Sequence, residues 1–276
     1  MLLSVVIPTY HRNDLLKLCL QSLSPINQTL DIKYYEVIVT DDGKESTAKK
    51  IIADEFPWCR WVQGPQRGPA SNRNFGASQV KSNWVVFIDD DCLPDENLLL
   101  TYKNAIEENP DIKVFEGCIK ADREQKRFDE ESPVNLTGGY MWSCNFMVFK
   151  KVFNQVGGFD ENFPSPAMED VDLTNTILKN DIEILFLKKA FVIHPWRKLR
   201  DISFVKKHHK SFIYYSLKNK EFSKSHSVGM FLKNYLRDCL FIFKNAISFK
   251  FRGIFKIILS INYDLILKIN YVLLKK

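Results

Sequence analysis

The 276-residue chain is 45% apolar, with 21 Phe, 10 Tyr and 5 Trp, so a substantial core is available for one large domain or one domain with an appendage. Its six cysteines, Cys19, Cys59, Cys92, Cys118, Cys144 and Cys239, are scattered without a CxxC pair. That argues against a zinc site or a secreted disulfide framework and for a reducing, cytosolic setting. The net charge of +6 conceals an asymmetry: from Arg197 onward 18 Lys and Arg face four acids, a net +14, which leaves −8 on residues 1–196. An acidic body and a basic tail imply two tasks.

The opening MLLSVVIPTYHR has no basic region before its apolar run and no cleavage site, so LLSVVIP reads as a first strand and not as a signal peptide. NDLLKLCLQSLS follows as an amphipathic helix with Asn13 in the N-cap position. YYEVIVTDDG is a second strand, STAKKIIADEF a helix and WCRWVQG a short strand. GPASNRNFGASQVKS begins with a Gly-Pro turn and continues as a helix into the strand WVVFIDDD. This alternation predicts a largely parallel sheet with helices on both faces, whose ligands sit beyond the carboxyl ends of the strands. TYH, TDDG and IDDD all fall at such ends, so three polar clusters share one edge. Next come the helix DENLLLTYKNAIEENP, stopped by Pro110, the strand KVFEGCIK and a polar loop over 121–135. TGGYMWSCNFMVFKK is a strand pair or a strand-to-helix passage, a helix starts near Glu169, and IEILFLKKAFVIHPWR is a last strand. A body over 1–197 and a basic helical tail over 198–276 are expected.

The tail is apolar but repeatedly interrupted by Lys and Arg, and no run reaches the ~18 uncharged residues of a membrane-spanning helix. In its last helix Lys256, Ser260, Asp264 and Lys268 recur every four residues, a polar stripe beside a broad apolar face. The pattern fits a helix lying in the plane of a membrane with its cations towards anionic head groups. Packing on the body or on a second subunit is the alternative. His208 and His209 read as solvated tail residues, and the long aliphatic runs between cations argue against a nucleic-acid partner.

The chemistry is concentrated in VVFIDDDCLPDE. An apolar run from Trp84 to Ile88 meets three consecutive carboxylates, Asp89, Asp90 and Asp91, which is unfavourable unless something positive sits there. Mg²⁺ or Mn²⁺ wants oxygen ligands and takes one or two carboxylates plus substrate phosphates. Asp91, with Asp89 as a second ligand, would hold such an ion and leave a carboxylate for a ribose hydroxyl; the alternative is a solvated acidic turn. The stretch RGPASNRN, Arg67 to Asn74, puts two arginines and two asparagines at a helix N-terminus, where phosphate oxygens are attracted. Tyr10 offers a ring for a base, Arg12 a guanidinium for a phosphate, and Asp41 or Asp42 an acceptor for a uracil imide N–H. Each feature alone fits an ordinary turn; four at one sheet edge do not.

The motifs VVIPTYHR, IVTDDG, RGPASNRNFGA, WVVFIDDD, VGGFDENF and MEDVDL, in this order and at these spacings, resemble the family 2 glycosyltransferases of the GT-A fold. The resemblance covers about Leu2 to Trp196 and not the tail. It implies an α/β fold whose nucleotide-binding sheet is mixed and mostly parallel, flanked by helices, with a C-terminal helical extension. It further implies transfer of a sugar, with inversion, from a nucleotide diphosphate donor such as a UDP-sugar to an acceptor hydroxyl, using Mn²⁺ or Mg²⁺. Residue by residue, Pro8, Tyr10, Arg12 and one of Asp41 and Asp42 would hold the base. Arg73, with Asn72, would sit by the ribose-phosphate portion; Asp89 and Asp90 would face ribose and sugar, and Asp91 would ligate the metal. In the pair Glu169–Asp170, Asp170 would be the general base, and His194 would stand near metal and diphosphate. Displacement with inversion needs one base for the acceptor's proton and positive charge on the departing diphosphate, and these assignments supply both. Asp172 is the competing base, but two residues along a helix it points elsewhere. Trp142 would stack on a pyranose face or belong to the core.

Many relatives carry a glycine just before the Glu-Asp pair and an arginine in the helix after it; here Ala167-Met168 and DLTNTILKN stand in those places. Resemblance and tail together imply a peripheral enzyme at the cytoplasmic, inner face of a bacterial plasma membrane. Its partners would be a lipid-linked saccharide or growing surface polysaccharide as acceptor, and an anionic membrane surface. A sugar-phosphate nucleotidyltransferase is opposed by the lack of a glycine-rich, lysine-containing loop near the first strand. A non-catalytic sugar-nucleotide-binding scaffold is opposed by the intact Asp91, Arg73 and Asp170.

Overall fold

A computed structural model describes residues 2–45, 47–199 and 201–274; Ser46, expected at the start of the second helix, lies outside the described residues. The chain divides into two compact units. The first takes the stretch up to Asp122, Pro133–Glu161 and Glu169–Pro195; the second takes Arg123–Ser132, Asn162–Met168 and the chain from Trp196. Two short segments assigned to the body on sequence thus fold with the tail.

In the first unit β1 (Leu3–Thr9), β2 (Tyr35–Asp41), β3 (Arg60–Gln63) and β4 (Trp84–Ile88) lie parallel in the order 3-2-1-4. They are joined by α1 (Asn13–Ser22), α2 (Lys49–Glu55) and α3 (Pro69–Gln79). After β5 (Leu93–Pro94), α4 (Leu98–Glu108) and β6 (Val114–Ala121) comes β7 (Glu130–Glu131), which belongs to the second unit. Then follow β8 (Asn145–Phe149), α5 (Lys150–Gln155), α6 (Glu169–Lys179) and β9 (Ile184–His194). The eight-stranded sheet has the order β3-β2-β1-β4-β8-β6-β9-β5; β8 runs antiparallel to both β4 and β6, β5 antiparallel to β9, and the other pairs are parallel. This is the mixed, mostly parallel sheet expected, with one antiparallel strand at its centre.

The near-continuous apolar strands reflect burial on both faces. Leu3, Val5, Ile7, Val37, Val39, Val86 and Ile88 pack with Leu16 and Leu20 of α1 and Tyr102 of α4. Their neighbours Val6, Ile38, Val85 and Phe87 point the other way, onto Ala77 of α3 and Leu173 and Ile177 of α6. The expected cap of α1 is corrected: Arg12 takes the N-cap position without a capping bond and Asn13 is the first helical residue. Turning Arg12 out of the helix frees its side chain for the sheet edge.

The second unit contains β7 and β10 (Arg197–Lys198), paired antiparallel, and the helices α7 (Ile202–Lys218), α8 (Lys220–Ser225), α9 (Val228–Asn245) and α10 (Ile254–Leu274). Asp201 and Ser227 cap α7 and α9 by accepting from the N–H groups of Phe204 and Met230. His209, expected in solvent, is buried and stacks on Phe212 at 5.8 Å, because α7 turns that face inward; His208 is exposed. By length and composition α10, 21 residues with mean hydropathy 1.5, is long and apolar enough to cross a membrane despite Asp264 and Lys268.

One polar residue stabilises the mixed half of the sheet. The β6–β9 register slips between Gly117, opposite Leu187, and Cys118, opposite Phe191, which interrupts the ladder. Asn145 of β8 reaches across: its amide donates to Cys118 O at 2.8 Å and Ala190 O at 3.0 Å, and its carbonyl accepts from the Tyr102 hydroxyl at 2.8 Å. Only glycine at 117 leaves room for it, since a Cβ there would lie 2.2 Å from the Asn145 amide nitrogen. Asn145→Leu strands two buried carbonyls and a buried hydroxyl, so a loss of about 3 kcal/mol is expected in urea unfolding. Tyr102→Phe, which removes one of the three bonds, is expected to cost about 1 kcal/mol.

Candidate active site

The parallel strands β1, β2 and β4 deliver Thr9, Asp41 and Ile88 to one edge, and the loops beyond them enclose a cavity of about 370 Å³. Of the expected donor-binding residues, Pro8, Tyr10, Arg12, Asp42, Asn72, Arg73 and Asp89 all line it. Tyr10 is 56% exposed, so its ring is open to a stacking partner. Asn72 is fixed by donating to Thr40 O at 2.8 Å and Thr9 O at 3.4 Å, while its carbonyl oxygen is buried without a hydrogen bond. Gly64, not singled out on sequence, is needed here: a Cβ would lie 2.2 Å from Asp42 Oδ1 and 2.5 Å from Asn72 Oδ1.

Asp41 and Asp42, left open as alternatives, have different roles. Asp41 is a structural residue and not a wall of the cavity: it accepts from Gly43 N, Ala48 N and Trp61 Nε1 at 2.8, 2.6 and 3.1 Å. Asp42 accepts from Gln66 N and Gly68 N at 2.9 and 3.1 Å and faces the cavity, and burial raises its pKa.

Two guanidinium groups answer the charge of the aspartate triplet. Arg12 pairs with Asp90 at 2.7 Å and Asp91 at 3.0 Å; Arg73 pairs with Asp89 at 2.5 Å and lies 3.7 Å from Glu169. Burial opposes the charge on Arg73, but Asp89 and Glu169 outweigh it and raise its pKa. Asp90 corrects the expectation that it faces the donor. In the turn after β4 it is fully buried, shares Arg12 with Asp91, and accepts from the Thr9 hydroxyl at 2.7 Å. Burial, with Asp91 and Asp89 nearby, pushes Asp90 up to about 7 despite Arg12.

The donor set fits a hard divalent cation at Asp91 and His194. His194 Nδ1 donates to Pro195 O at 2.9 Å, which leaves Nε2 as the lone-pair nitrogen, 3.6 Å from Asp91 Oδ1. That separation is close to the spacing of two ligands sharing one ion with bonds of about 2.1 Å. Cys92 completes a group within 4.8 Å, but its thiol is hydrogen-bonded to Cys144 and buried, both of which raise its pKa, so it offers no thiolate. Asp89, expected as a second ligand, belongs instead to Arg73.

The Glu169–Asp170 pair opens α6, as expected. Asp170 accepts from the N–H groups of Val171, at 2.8 Å, and Ser143, and burial raises its pKa. Glu169 is buried with one oxygen unpartnered; burial, then repulsion from Asp170, pushes it up to about 7 against the pull of Arg73. Met168 sits at φ +74°, the left-handed region where glycine is favoured. Asp172 is buried on the same helix. Trp142 is partly buried against the core and stacks at 5.9 Å on Tyr140, itself 60% exposed, so Tyr140 presents the open aromatic face. Glu116, read on sequence only as part of a strand, shapes that turn by accepting from Gly139 N and Tyr140 N at 2.9 and 2.7 Å.

Removing Arg12 exposes how much it neutralises. Its side chain is 38% exposed while Asp90 and Asp91 are buried, so Arg12→Met falls between surface and buried ion pairs. A loss of about 2 kcal/mol is expected in urea unfolding at pH 8, shrinking towards pH 5 as Asp90 protonates.

Comparison with known proteins supports the same reading. The sequence model of the family described as glycosyl transferase family 2 matches residues 4–160. GalNAc(5)-diNAcBac-PP-undecaprenol beta-1,3-glucosyltransferase of Campylobacter jejuni is 28% identical over 176 residues, 58% of this chain and 55% of that protein. Glycosyltransferase AglE of Haloferax volcanii is 30% identical over 213 residues, 72% of this chain and 68% of the relative. A crystal structure of S. aureus TarS 1–349 in complex with UDP-GlcNAc superposes with a TM-score of 0.61 at 23% identity, covering 79% of this chain and 66% of that one. The mannosyltransferase PcManGT of Pyrobaculum calidifontis, in complex with GDP-Man and Mn²⁺, gives 0.57 at 16% identity over 79% and 64% of the two chains. The chain thus spans about half the length of the Campylobacter relative, and it shares the GT-A fold of the solved structures. With its motifs at one sheet edge and more than half of its length matched, the chain belongs to glycosyl transferase family 2.

Proposed function

We propose that the protein is a metal-dependent, inverting glycosyltransferase that moves a sugar from a UDP-sugar to a hydroxyl of a lipid-linked saccharide or growing surface polysaccharide. The observation that carries this reading is Arg73, which joins the donor cavity to both carboxylate groups through Asp89 and Glu169. Tyr10 and Asp42 would receive the base, by stacking and by accepting its imide N–H. Arg12 and Arg73 would hold the phosphates, with Asn72 behind them. Mn²⁺ or Mg²⁺ held by Asp91 and His194 would supply the positive charge that a departing nucleoside diphosphate needs. Asp170 would take the acceptor's proton as its oxygen attacks the anomeric carbon, with burial keeping its proton affinity high. Tyr140, backed by Trp142, would offer a stacking face to a pyranose. Attachment at the inner face of a plasma membrane, through the basic second unit, is part of the same reading; the name of the Campylobacter relative includes an undecaprenol-linked saccharide.

A thermal-shift screen of nucleotide sugars with Mn²⁺ would name the donor, since a ligand of the folded state raises its melting temperature by mass action. If no uridine or other nucleoside diphosphate sugar shifts it with or without metal, the reading fails. With the donor known, Asp170→Asn is expected to lower kcat by about 10²- to 10⁴-fold while leaving donor KM near the wild-type value. Wild-type activity is expected to rise with pH as the raised Asp170 carboxyl ionises, and Glu169→Gln, by removing the adjacent charge, to move that acid limb to lower pH. The sign for stability is opposite. Folding raises Glu169 from 4.5 to about 7, so between those values the folded chain binds the extra proton. Its contribution to stability is full below pH about 4.5 and is lost as pH rises through about 7.

A further inference from the structure

The second unit buries Tyr215, Phe231 and Ile242 but leaves many other apolar side chains exposed. On α9, Leu232, Leu236, Leu240 and Phe243 recur at three- and four-residue spacing and are all exposed, as is Ile247 in the turn after the helix, Phe243 and Ile247 by more than 80%. Lys233, Arg237 and Lys244, also exposed, flank this stripe. No residue of α10 is buried, and Phe255, Leu259, Ile266 and Leu273 are open on its outer face. Its polar residues turn inward instead. Ser260, Asp264 and Lys268 line a cavity of about 380 Å³ with Asp238 of α9, and Lys268 pairs with Asp264 at 2.6 Å. The Tyr235 hydroxyl donates to Asn262 at 2.7 Å, and Lys256 donates to the carbonyl of Leu199. A half-buried polar stripe between the helices, beside a broad apolar face left open, is not the arrangement that water selects.

We propose that the outer faces of α9 and α10 enter the acyl region of an anionic bilayer, with Lys233, Arg237 and Lys244 at the level of the lipid phosphates. This rests on the membrane-surface reading above and reverses its geometry: the stripe of Lys256, Ser260, Asp264 and Lys268, expected towards the head groups, is the internal seam of the unit. Anionic lipid is the occupant that the charge selects. The tail carries 18 Lys and Arg against four acids, and Asp238 and Asp264, two of those four, line the internal cavity. A second copy of the chain is disfavoured, because a two-fold contact through α9 would set its cations against themselves. Cations spaced from 233 to 244 keep α9 in the plane of the interface rather than across it.

Flotation of the full-length protein with phosphatidylcholine vesicles, with and without phosphatidylglycerol, tests the proposal. The protein is expected to float with anionic vesicles and far less with neutral ones. Leu236→Asp with Phe243→Asp is expected to lower the partition coefficient by more than about tenfold while donor turnover persists. As a variant that keeps the apolar face, Phe243→Trp is expected to add fluorescence quenched by lipids brominated in the acyl chain and shielded from aqueous iodide. The proposal is overturned if the wild type stays unbound with anionic vesicles, or if the fluorescence added by Phe243→Trp is quenched by iodide and not by brominated chains. It is equally overturned if sedimentation without lipid shows a dimer that the aspartates dissociate while flotation is unchanged. Protein that turns over donor without floating sinks this face alone, and protein that floats without turnover sinks the transferase reading alone.

Discussion

Five carboxyl groups, Asp89, Asp90, Asp91, Glu169 and Asp170, meet two guanidinium groups, Arg12 and Arg73, at the carboxyl edge of a sheet that excludes water on both faces. In that setting unbalanced charge is expensive, and two cations do not balance five acids. The remainder shows in the pKa values of Asp90 and Glu169, both pushed up to about 7 by burial and like-charge neighbours. The proposed divalent ion at Asp91 and His194 would add positive charge to this cluster. Burial likewise raises both members of the Glu169–Asp170 pair, Glu169 to about 7.

The scaffold around this cluster has its own weak point, and the chain repairs it with polar chemistry. Parallel strands end together and so gather the donor-binding residues, but closing the other half of the sheet requires β8 to run antiparallel and β6 to slip against β9. Asn145 and Gly117 act as one device there, an amide entering a space that only a hydrogen side chain leaves free. Precise placement of β8 matters beyond stability. Ser143, two residues before the strand, donates its N–H to the Asp170 carboxylate.

The second unit follows the same rule of charge satisfaction. Its helices satisfy polar groups against one another, Lys268 with Asp264 and Tyr235 with Asn262, and leave Leu and Phe outside. An exposed apolar face flanked by cations is what carries the proposed contact with an anionic bilayer.

The order of strands and helices and the shared edge of TYH, TDDG and IDDD were legible in the residues alone, because apolar periodicity is a local property; glycosyl transferase family 2 was legible there only as a resemblance of motifs. The roles of Arg12 and Arg73 as counter-ions, the inward turn of Asp90 and the internal use of Asp41 were not. Each depends on which way a side chain points once segments distant in the chain lie side by side, as Thr9 does with Asp90 and Asp41 with Trp61. Glu116, Asn145 and Gly64 look like ordinary strand and turn residues until their partners arrive. The stripe on α10 is the sharpest case. Its period was visible in the sequence, but a period has no inside or outside until other helices pack against one of its faces, and here they took the polar one.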